Sequence, residues 1–355
     1  MTTHVTASPS SVAIIETSKV EVPTERRWLP IHVWAVLGIL FVAFQLYLYI
    51  RGIAAGNAKE NDFGRSTAPG WMVDAMWVHV ALGFATLAGM LYWFLVRPWR
   101  AGRVITSDGL LMLACLTCFW QDLAANYFRY QVVYPTIWPN LGSWYNFIPG
   151  WSAPNGQIQA EATIFFLPMY AVCMFGFTSI AMGVMHRVQR RVPSVSKVTL
   201  FLIAWLTLGL TDLILEVFWV RLGLFTYPGA IHGWTLFYGH YYQFPIYESL
   251  LWGLGWATLT SFRYFRNSRG ETAPERGLSH IAAAPYRRVL LRLLAMVAAA
   301  NIGLLGYNVA MGAVGAASPH WPTDFTSRPY LTDGLCGPRA PYACAPGTLG
   351  RSAAR

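Results

Sequence analysis

Residues 198–219 read VTLFLIAWLTLGLTDLILEVFW, an apolar run that carries two carboxylates, Asp212 and Glu216, close to its end. The run is long enough to cross the hydrocarbon core of a bilayer as a helix, which takes about 20 mostly apolar residues. Four positions separate the two acids, so a helix places them on one face with their Cβ atoms about 5–6 Å apart. The stretch therefore predicts a membrane-spanning helix with a pair of acids inside it.

The rest of the chain repeats this apolar pattern. Over 355 residues it is 55% hydrophobic and only 12% charged, with a mean hydropathy of +0.39, which is more apolar than an ordinary soluble domain. Seven apolar runs are predicted to span the membrane: 31–50, 73–96, 108–126, 160–184, 198–219, 243–263 and 289–315.

These runs predict an all-α fold, a polytopic bundle of about seven transmembrane helices in the cell membrane. The bundle is expected to form one domain over residues 28–316. A disordered N-terminal tail, residues 1–27, is expected before it, and a Pro/Gly-rich C-terminal tail, residues 317–355, after it. The oligomeric state is left open.

The net charge of +10 is explained by topology. The loops after the second, fourth and sixth predicted spans hold most basic residues: Arg97, Arg100, Arg103, Arg187, Arg190, Arg191, Lys197, Arg263, Arg266, Arg269, Arg276, Arg287, Arg288 and Arg292. The positive-inside rule therefore predicts a cytoplasmic N-terminus, with the alternate loops on the outer face. Because the lipid bilayer accounts for these charges, and no DNA- or RNA-binding signature accompanies them, no nucleic-acid partner is expected.

Five carboxylates are predicted to lie near one end of the bundle, because neighbouring spans run in opposite directions. They are Asp122, Glu161, Asp212, Glu216 and Glu248. A carboxylate inside a membrane costs about 2.5–3.5 kcal/mol on insertion scales and usually faces a bundle interior or a wet cavity. Two acids this close share a proton, which leaves one as a general acid and its neighbour as a base. These five are the predicted catalytic groups; alternatively, they cap helix ends or pair with Arg221 or Arg129.

Two long outer loops, between the third and fourth and the fifth and sixth spans, are aromatic and rich in Gly and Pro. Aromatic residues also form ordinary interfacial belts, but the interleaved amides and imidazole suit a polar or hydroxylated ligand. The loops are interpreted as a lid that caps the outer face. The predicted substrate-binding residues are Asn126, Tyr127, Asn140, Trp144, Tyr145, Asn146, Trp219, His240, Gln243 and Tyr247.

Neither a metal nor a cofactor is expected. Cys115-x-x-Cys118 has no second pair or neighbouring His, and the chain contains no nucleotide-binding fingerprint. Cys336 and Cys344 lie in the C-terminal tail, where a disulfide and two free thiols both remain open.

Four motifs carry a family resemblance. They are Asp122-x-x-x-Asn126-Tyr127, the stretch 142–151, Asp212-x-x-x-Glu216-x-x-Trp219 and Gln243-Phe244-Pro245-x-Tyr247-Glu248. Over about residues 30–350 the chain resembles the AveC-like spirocyclases of macrolide biosynthesis, of the avermectin and milbemycin type. The resemblance implies a membrane enzyme that closes a dihydroxyketone polyketide into a 6,6-spiroketal, and that in some members also dehydrates the product.

Spiroketal closure is acid–base chemistry, which agrees with the predicted acids. The interpretation is that Asp212 or Glu216 protonates the departing hydroxyl, while the other, or Asp122, takes the proton of the attacking hydroxyl. The faces of Trp144, Tyr145 and Trp219 are expected to stabilise the cation that forms.

Other functions remain open on the sequence alone. A membrane cyclase of the terpene or carotenoid kind also uses acids and aromatic side chains. A non-catalytic carrier of lipids or small molecules is a further alternative, although the spans show no internal repeat of the kind common in transporters. A structural subunit of a membrane complex is the least specific of these alternative functions.

Overall fold

A computed structural model of the protein describes residues 28–60, 67–139, 141–317 and 321–332. The predicted N-terminal tail, Asn140, Cys336 and Cys344 lie outside these described residues. The described chain is predominantly helical, and its main helices are α1 (Pro30–Ala54), α2 (Gly70–Arg100), α3 (Ser107–Leu116), α4 (Thr163–Arg191), α5 (Lys197–Arg221), α6 (Ile246–Tyr264) and α7 (Pro285–Gly315). Two short strands, β1 (Thr235–Leu236) and β2 (Phe244–Pro245), and two short helices, α8 (Thr323–Thr326) and α9 (Pro329–Thr332), complete the fold.

Five of these helices, α1, α2, α4, α5 and α7, are long and apolar enough to cross a membrane. Among the described residues the number rises to six if α3 and the short helical turns after it form one bent span. Helix α6 has 19 residues but a lower hydropathy, so it is not among them. The seven-span count and the orientation in the membrane stay predictions.

The third predicted span is broken in the structure. Helix α3 ends at Leu116, and the chain bends by 41° into single turns at Phe119–Gln121 and Ala124–Asn126. The Thr117 hydroxyl donates to the Ala114 carbonyl at 2.6 Å, a local bond that competes with the helical pattern. Irregular backbone at membrane depth is tolerated where protein surrounds it, and the bend places Asp122 on this segment rather than on a regular helix.

Close backbone approach holds the helices together. A Cβ on Gly38 of α1 would come within 2.0 Å of the Leu294 carbonyl oxygen of α7, and one on Gly253 of α6 within 2.8 Å of the Gly209 nitrogen of α5. Small residues are common where membrane helices cross. Lipid tails are as apolar as the helices, so the hydrophobic effect does not drive helix association, and close van der Waals packing takes its place.

The end of the bundle that carries the basic loops is held by ion pairs. Arg263 near the end of α6 donates to Asp108 of α3 at 2.8 Å. Arg292 of α7 pairs with the buried Glu275 at 2.8 Å. In this region each of the two acids has an arginine partner from another element.

The two aromatic loops are joined to each other and to the C-terminal segment. Strands β1 and β2 pair antiparallel, and a bridge of Val133 with Thr226 connects the loops. Asp324 of α8 accepts a hydrogen bond from the Tyr241 backbone N–H at 2.9 Å and pairs with Arg328 at 2.7 Å. Residues 321–332, part of the predicted C-terminal tail, therefore pack onto the loops.

Candidate active site

Three acids from α5 and α6 form a cluster, called here the triacid cluster: Asp212, Glu216 and Glu248. One carboxylate oxygen from each lies within 4.8 Å of the other two. Asp212 and Glu248 are buried, and Glu216 is half-buried. Helix α5 places Asp212 and Glu216 on one face, as their spacing predicts, and the first turn of α6 brings Glu248 to them.

Tyrosines from distant parts of the chain bind this cluster. The Tyr307 hydroxyl of α7 donates to Glu248 Oε1 at 2.8 Å, and the Tyr227 hydroxyl donates to Glu216 Oε2. Asp212 Oδ2 and Glu248 Oε2 are buried without a hydrogen-bond partner among the described residues. Two such carboxyl oxygens in one cluster can be satisfied by one proton held between acids, because an unpaired buried charge is costly.

Asp122 lies apart from this cluster and is held differently. It accepts hydrogen bonds from the hydroxyls of Tyr134, at 2.6 Å on Oδ2, and Tyr170, at 2.8 Å on Oδ1. Two hydroxyl donors on one carboxylate stabilise its ionised form. Asp122 is half-buried, which leaves part of its surface open to the adjacent cavity.

Glu161 is the neighbour of Asp122 and is fully buried. It precedes α4, and its backbone N–H donates to the Leu141 carbonyl at 3.0 Å, so the first aromatic loop fixes its position. Neither of its carboxyl oxygens has a hydrogen-bond partner within the described part of the chain. Asp122 and Glu161 therefore form a second acid pair, called here the Asp122 pair.

A cavity of about 90 Å³ lies between the two groups of acids. Asp122 lines one wall and Asp212 and Glu216 line another, while Tyr134, Tyr170, Tyr227 and Tyr307 place their rings around it. Phe166, Trp219, Phe225 and Trp252 are the larger aromatic members of the remaining apolar wall, which also includes Phe177 and several aliphatic and sulfur-containing side chains. The lining contains no Lys, Arg or His, so the acids here face tyrosines, one another and apolar groups.

The two arginines considered as alternative partners of these acids, Arg221 and Arg129, lie away from the cavity. The Arg221 guanidinium lies over the rings of Phe237, at 4.2 Å, and Tyr242, at 4.0 Å. Neither Arg221 nor Arg129 lines the cavity.

The triacid cluster also has the composition of a cation site. Three carboxylate oxygens within 4.8 Å of one another are hard ligands of the kind that Mg²⁺ and Ca²⁺ take. Its members Asp212, Glu216 and Glu248 are therefore the residues that could hold a metal ion in this protein.

The predicted substrate-binding residues fall into three groups: aromatic residues in or near the cavities, buried amides that organise the loops, and residues that lie outside the cavity. Trp219 lines the cavity, while Tyr145 is fully buried and accepts the Leu123 backbone N–H at 2.7 Å, beside the Asp122 pair. Trp144 lines a separate cleft next to α1. Tyr247 is buried at the start of α6 and is not part of the cavity wall.

The buried amides among them organise the loops. Asn126 accepts the backbone N–H groups of Gln131, at 2.6 Å, and Val132, at 2.9 Å, and so closes the turn after the broken span. Gln243 donates to the carbonyls of Tyr227, at 2.8 Å, and Pro228, at 3.1 Å, which positions the tyrosine that reaches Glu216.

The remaining predicted binding residues lie outside the cavity. Asn146 is exposed and accepts a hydrogen bond from Asn57 at 3.2 Å. His240 stacks on Tyr242 with ring centroids 4.8 Å apart. Tyr127 donates to the Pro149 carbonyl at 2.8 Å. The structure therefore brings the acids together but not these loop side chains.

Sequence reasoning missed the tyrosines that bind the acids. Tyr134, Tyr170 and Tyr307 carry no spacing signal, since each meets its acid from another element. The only sequence signal was the presence of tyrosines in or next to the apolar runs.

Comparison with known proteins identifies the class of this membrane protein. The family described as "Spirocyclase AveC-like" matches residues 102–331, well over half of the chain. No curated protein and no solved structure matches this chain. The chain belongs to the AveC-like spirocyclase family, as the resemblance predicted, and membership implies a spiroketal-forming role in polyketide biosynthesis.

Proposed function

We propose that this protein closes a dihydroxyketone polyketide into a 6,6-spiroketal by acid–base catalysis in the cavity between the triacid cluster and the Asp122 pair. One observation supports the proposal most strongly. Acids from both groups line the same cavity, they are held by different partners, and the cavity lining contains no basic residue. Family membership supports the reaction class.

The reaction needs a proton donor and a proton acceptor at each step. One substrate hydroxyl adds to the ketone carbon, its proton passes to a carboxylate, and the carbonyl oxygen takes a proton from a carboxylic acid to give a hemiketal. The proton collected by the base returns to the acid, which protonates the hemiketal hydroxyl; this leaves as water and produces an oxocarbenium ion. The second hydroxyl adds to this cation and gives up its proton, so one molecule of water is lost overall and the acids return to their starting state.

The environments of the two groups assign the roles. Asp122, with two tyrosine donors on its oxygens, is suited to act as the base. Asp212 and Glu248 each have one buried carboxyl oxygen without a hydrogen-bond partner among the described residues, so they are suited to hold the proton that the departing hydroxyl takes. Glu216 lines the cavity and can exchange that proton with Asp212, because their oxygens lie in one cluster.

The apolar walls favour the cation and keep water out. The ring of Trp219 lies on the cavity wall, where an aromatic face attracts a positive charge. In a site of low polarity, electrostatic interactions with the developing charge are stronger than in water. Dehydration of the spiroketal, which removes a proton from carbon and expels a hydroxyl as water, requires the same acid and base.

The purified full-length protein in lipid nanodiscs tests the proposal. The probe is the symmetric nine-carbon ketone with a hydroxyl at each end, which closes to the simplest 6,6-spiroketal. Because such ketones also close spontaneously, the readout is the rate above background together with the enantiomeric excess of the product. We expect an accelerated reaction with one enantiomer in excess; a racemic product at the background rate would contradict the proposal and favour a carrier.

A further inference from the structure

The cavity is far smaller than the substrate that the proposed function gives it. About 90 Å³ can accommodate the reacting atoms, whereas drug-sized ligands usually occupy pockets of about 300–1,000 Å³. The apolar remainder of a polyketide must therefore lie elsewhere, and an apolar molecule of this size partitions into the bilayer.

One cleft has the required position. It has a volume of about 360 Å³ and lies between α1, the end of α3, the loop at 141–144 and the start of α4. Ile53 of α1 and Leu167 of α4, both exposed, mark its outer rim. Helices α1 and α4 are two of the helices long and apolar enough to span a membrane.

The inner end of the cleft lies beside Glu161, although neither member of the Asp122 pair is among its lining residues. Two of its lining residues, Leu141 and Thr163, flank Glu161: Leu141 is its bridge partner and the Thr163 hydroxyl donates to its carbonyl at 3.3 Å. Tyr49 lines the cleft and lies close enough to Glu161 and Asp122 to interact with both electrostatically. Glu161 is completely buried next to Tyr145 and Asp122, and neither carboxyl oxygen has a hydrogen-bond partner within the described residues, so it can bind a hydroxyl that arrives through the cleft.

At one point a pair of packed aromatic side chains lies between the cleft and the cavity. Phe119 lines the cleft and packs edge-to-face on Tyr170, a residue of the cavity wall, with ring centroids 6.1 Å apart. On α4, Leu167 faces the cleft while the preceding Phe166 faces the cavity.

A larger groove elsewhere lacks this connection. It has a volume of about 560 Å³ and is lined mainly by apolar residues of α1 and α7, including Leu305 and Val309. Neither the groove nor the cleft is lined by any of the five acids, but the groove also lacks Leu141 and Thr163, the cleft residues that contact Glu161. This groove, called here the α1–α7 groove, is a matched surface of similar exposure and provides the control.

We propose that the cleft between α1 and α4 is a binding site for the apolar chain of the substrate, which enters from the bilayer and presents its hydroxyketone end to Glu161. The proposal rests on the proposed function for the identity of the occupant, a hydroxylated polyketide. Tyr49, Trp144 and Leu167 are then the residues that contact the chain and set which chain lengths are accepted.

Two substitutions at exposed positions test the cleft. Leu167→Trp fills its rim, and Val309→Trp adds the same bulk to the α1–α7 groove. The probe is the nine-carbon ketone carrying a decyl chain with a diazirine near its end, in nanodiscs with full-length protein. Cross-linked peptides are mapped by mass spectrometry, and turnover of the long and short ketones is measured in parallel.

We expect label on residues 45–53 of α1 and on the 141–144 segment of the wild type, reduced by Leu167→Trp and unchanged by Val309→Trp, and no label on residues 37–44, which line the α1–α7 groove. Leu167→Trp should lower kcat/KM about tenfold, which is about 1.4 kcal/mol, for the long ketone and much less for the short one. Label in the α1–α7 groove, or an equal effect of both substitutions, would overturn the proposal. If Leu167→Trp does not fold, as judged by thermal unfolding, Ile53→Trp at the same rim replaces it.

The two proposals can fail separately. Label in the cleft without turnover of either ketone refutes the cyclase function and leaves the binding site. Turnover by the wild type with label outside the cleft refutes the site and leaves the function.

Discussion

The two ends of the helical bundle use the same residue type in opposite ways. At the end with the basic loops, Asp108 and Glu275 each pair with an arginine at 2.8 Å. At the other end Asp122, Asp212 and Glu248 face tyrosine hydroxyls and one another. An acid paired with arginine is held in one ionisation state, whereas acids that share a small, dry space can exchange a proton. The first arrangement stabilises a fold, and the second is suited to chemistry.

The strongest test of this contrast is Asp212→Asn. We expect about a 10³-fold loss of spiroketal formation, because general acid–base groups contribute about 10²–10⁴-fold. The matched control is Asp108→Asn, the same change at the arginine-paired end. The measurement is the rate and enantiomeric excess of spiroketal formation by each variant in nanodiscs. Equal losses in the two variants would contradict a catalytic role confined to the tyrosine-lined end.

The Asp122 pair should come next in effect. Asp122→Asn is expected to lower turnover about 10²-fold, since it removes the proposed base but leaves the triacid cluster intact. Tyr134→Phe and Tyr170→Phe each remove one of its two donors and should cost less than the loss of the carboxylate itself. A tyrosine variant slower than Asp122→Asn would mean that the hydroxyl acts on the substrate directly.

Removing an acid at the arginine-paired end should affect stability rather than chemistry. Glu275→Gln leaves Arg292 without its buried partner, which we expect to lower the free energy of unfolding by about 3 kcal/mol. Arg287→Gln, at an exposed position of the same helix, should change little. Thermal unfolding in detergent, with turnover per folded protein measured beside it, distinguishes the two effects.

Removal of metal ions tests whether the triacid cluster transfers protons or binds a cation. If protons do the work, treatment with EDTA leaves turnover unchanged, although Asp212, Glu216 and Glu248 could hold a cation. Loss of activity on chelation, with recovery on adding Mg²⁺ or Ca²⁺, would make these carboxylates ligands instead.

The smallest expected effect concerns Glu271, in the loop between α6 and α7. Burial raises its pKa, but hydrogen bonds from the Ser279 backbone N–H, Asn267 and the Gly277 N–H outweigh this and bring the pKa to about 2. Its pKa is thus lower in the folded than in the unfolded protein, where it is near 4.5. The stability it contributes is therefore present above pH 4.5 and is lost as the pH falls toward 2.

The unfolding temperatures of the wild type and Glu271→Gln, followed from neutral to acidic pH, check this. The two curves should be separated at neutral pH and converge in acid. Curves that stay parallel would show that the carboxylate does not stabilise this loop through its charge.

Parts of the site could be predicted because they depend on local spacing. Asp212 and Glu216 share a face since they are four residues apart on a helix, and the apolar runs gave the helical character of the bundle. The break after Leu116 was missed, because it depends on the Thr117 hydroxyl and on packing around Asp122 that hydropathy does not register. Asn126 and Gln243 were predicted to bind substrate, and their hydrogen bonds to the backbone were not foreseen, because these too depend on tertiary packing.

By itself, the sequence determined an apolar helical protein with acids inside it, since lipid as a solvent selects long apolar helices and leaves buried charge conspicuous. Only the tertiary structure decided what each acid faces. Glu248 meets Tyr307 across 59 residues and Asp108 meets Arg263 across 155. Such partners are chosen by how the helices cross, and the crossing depends on contacts far apart in the chain.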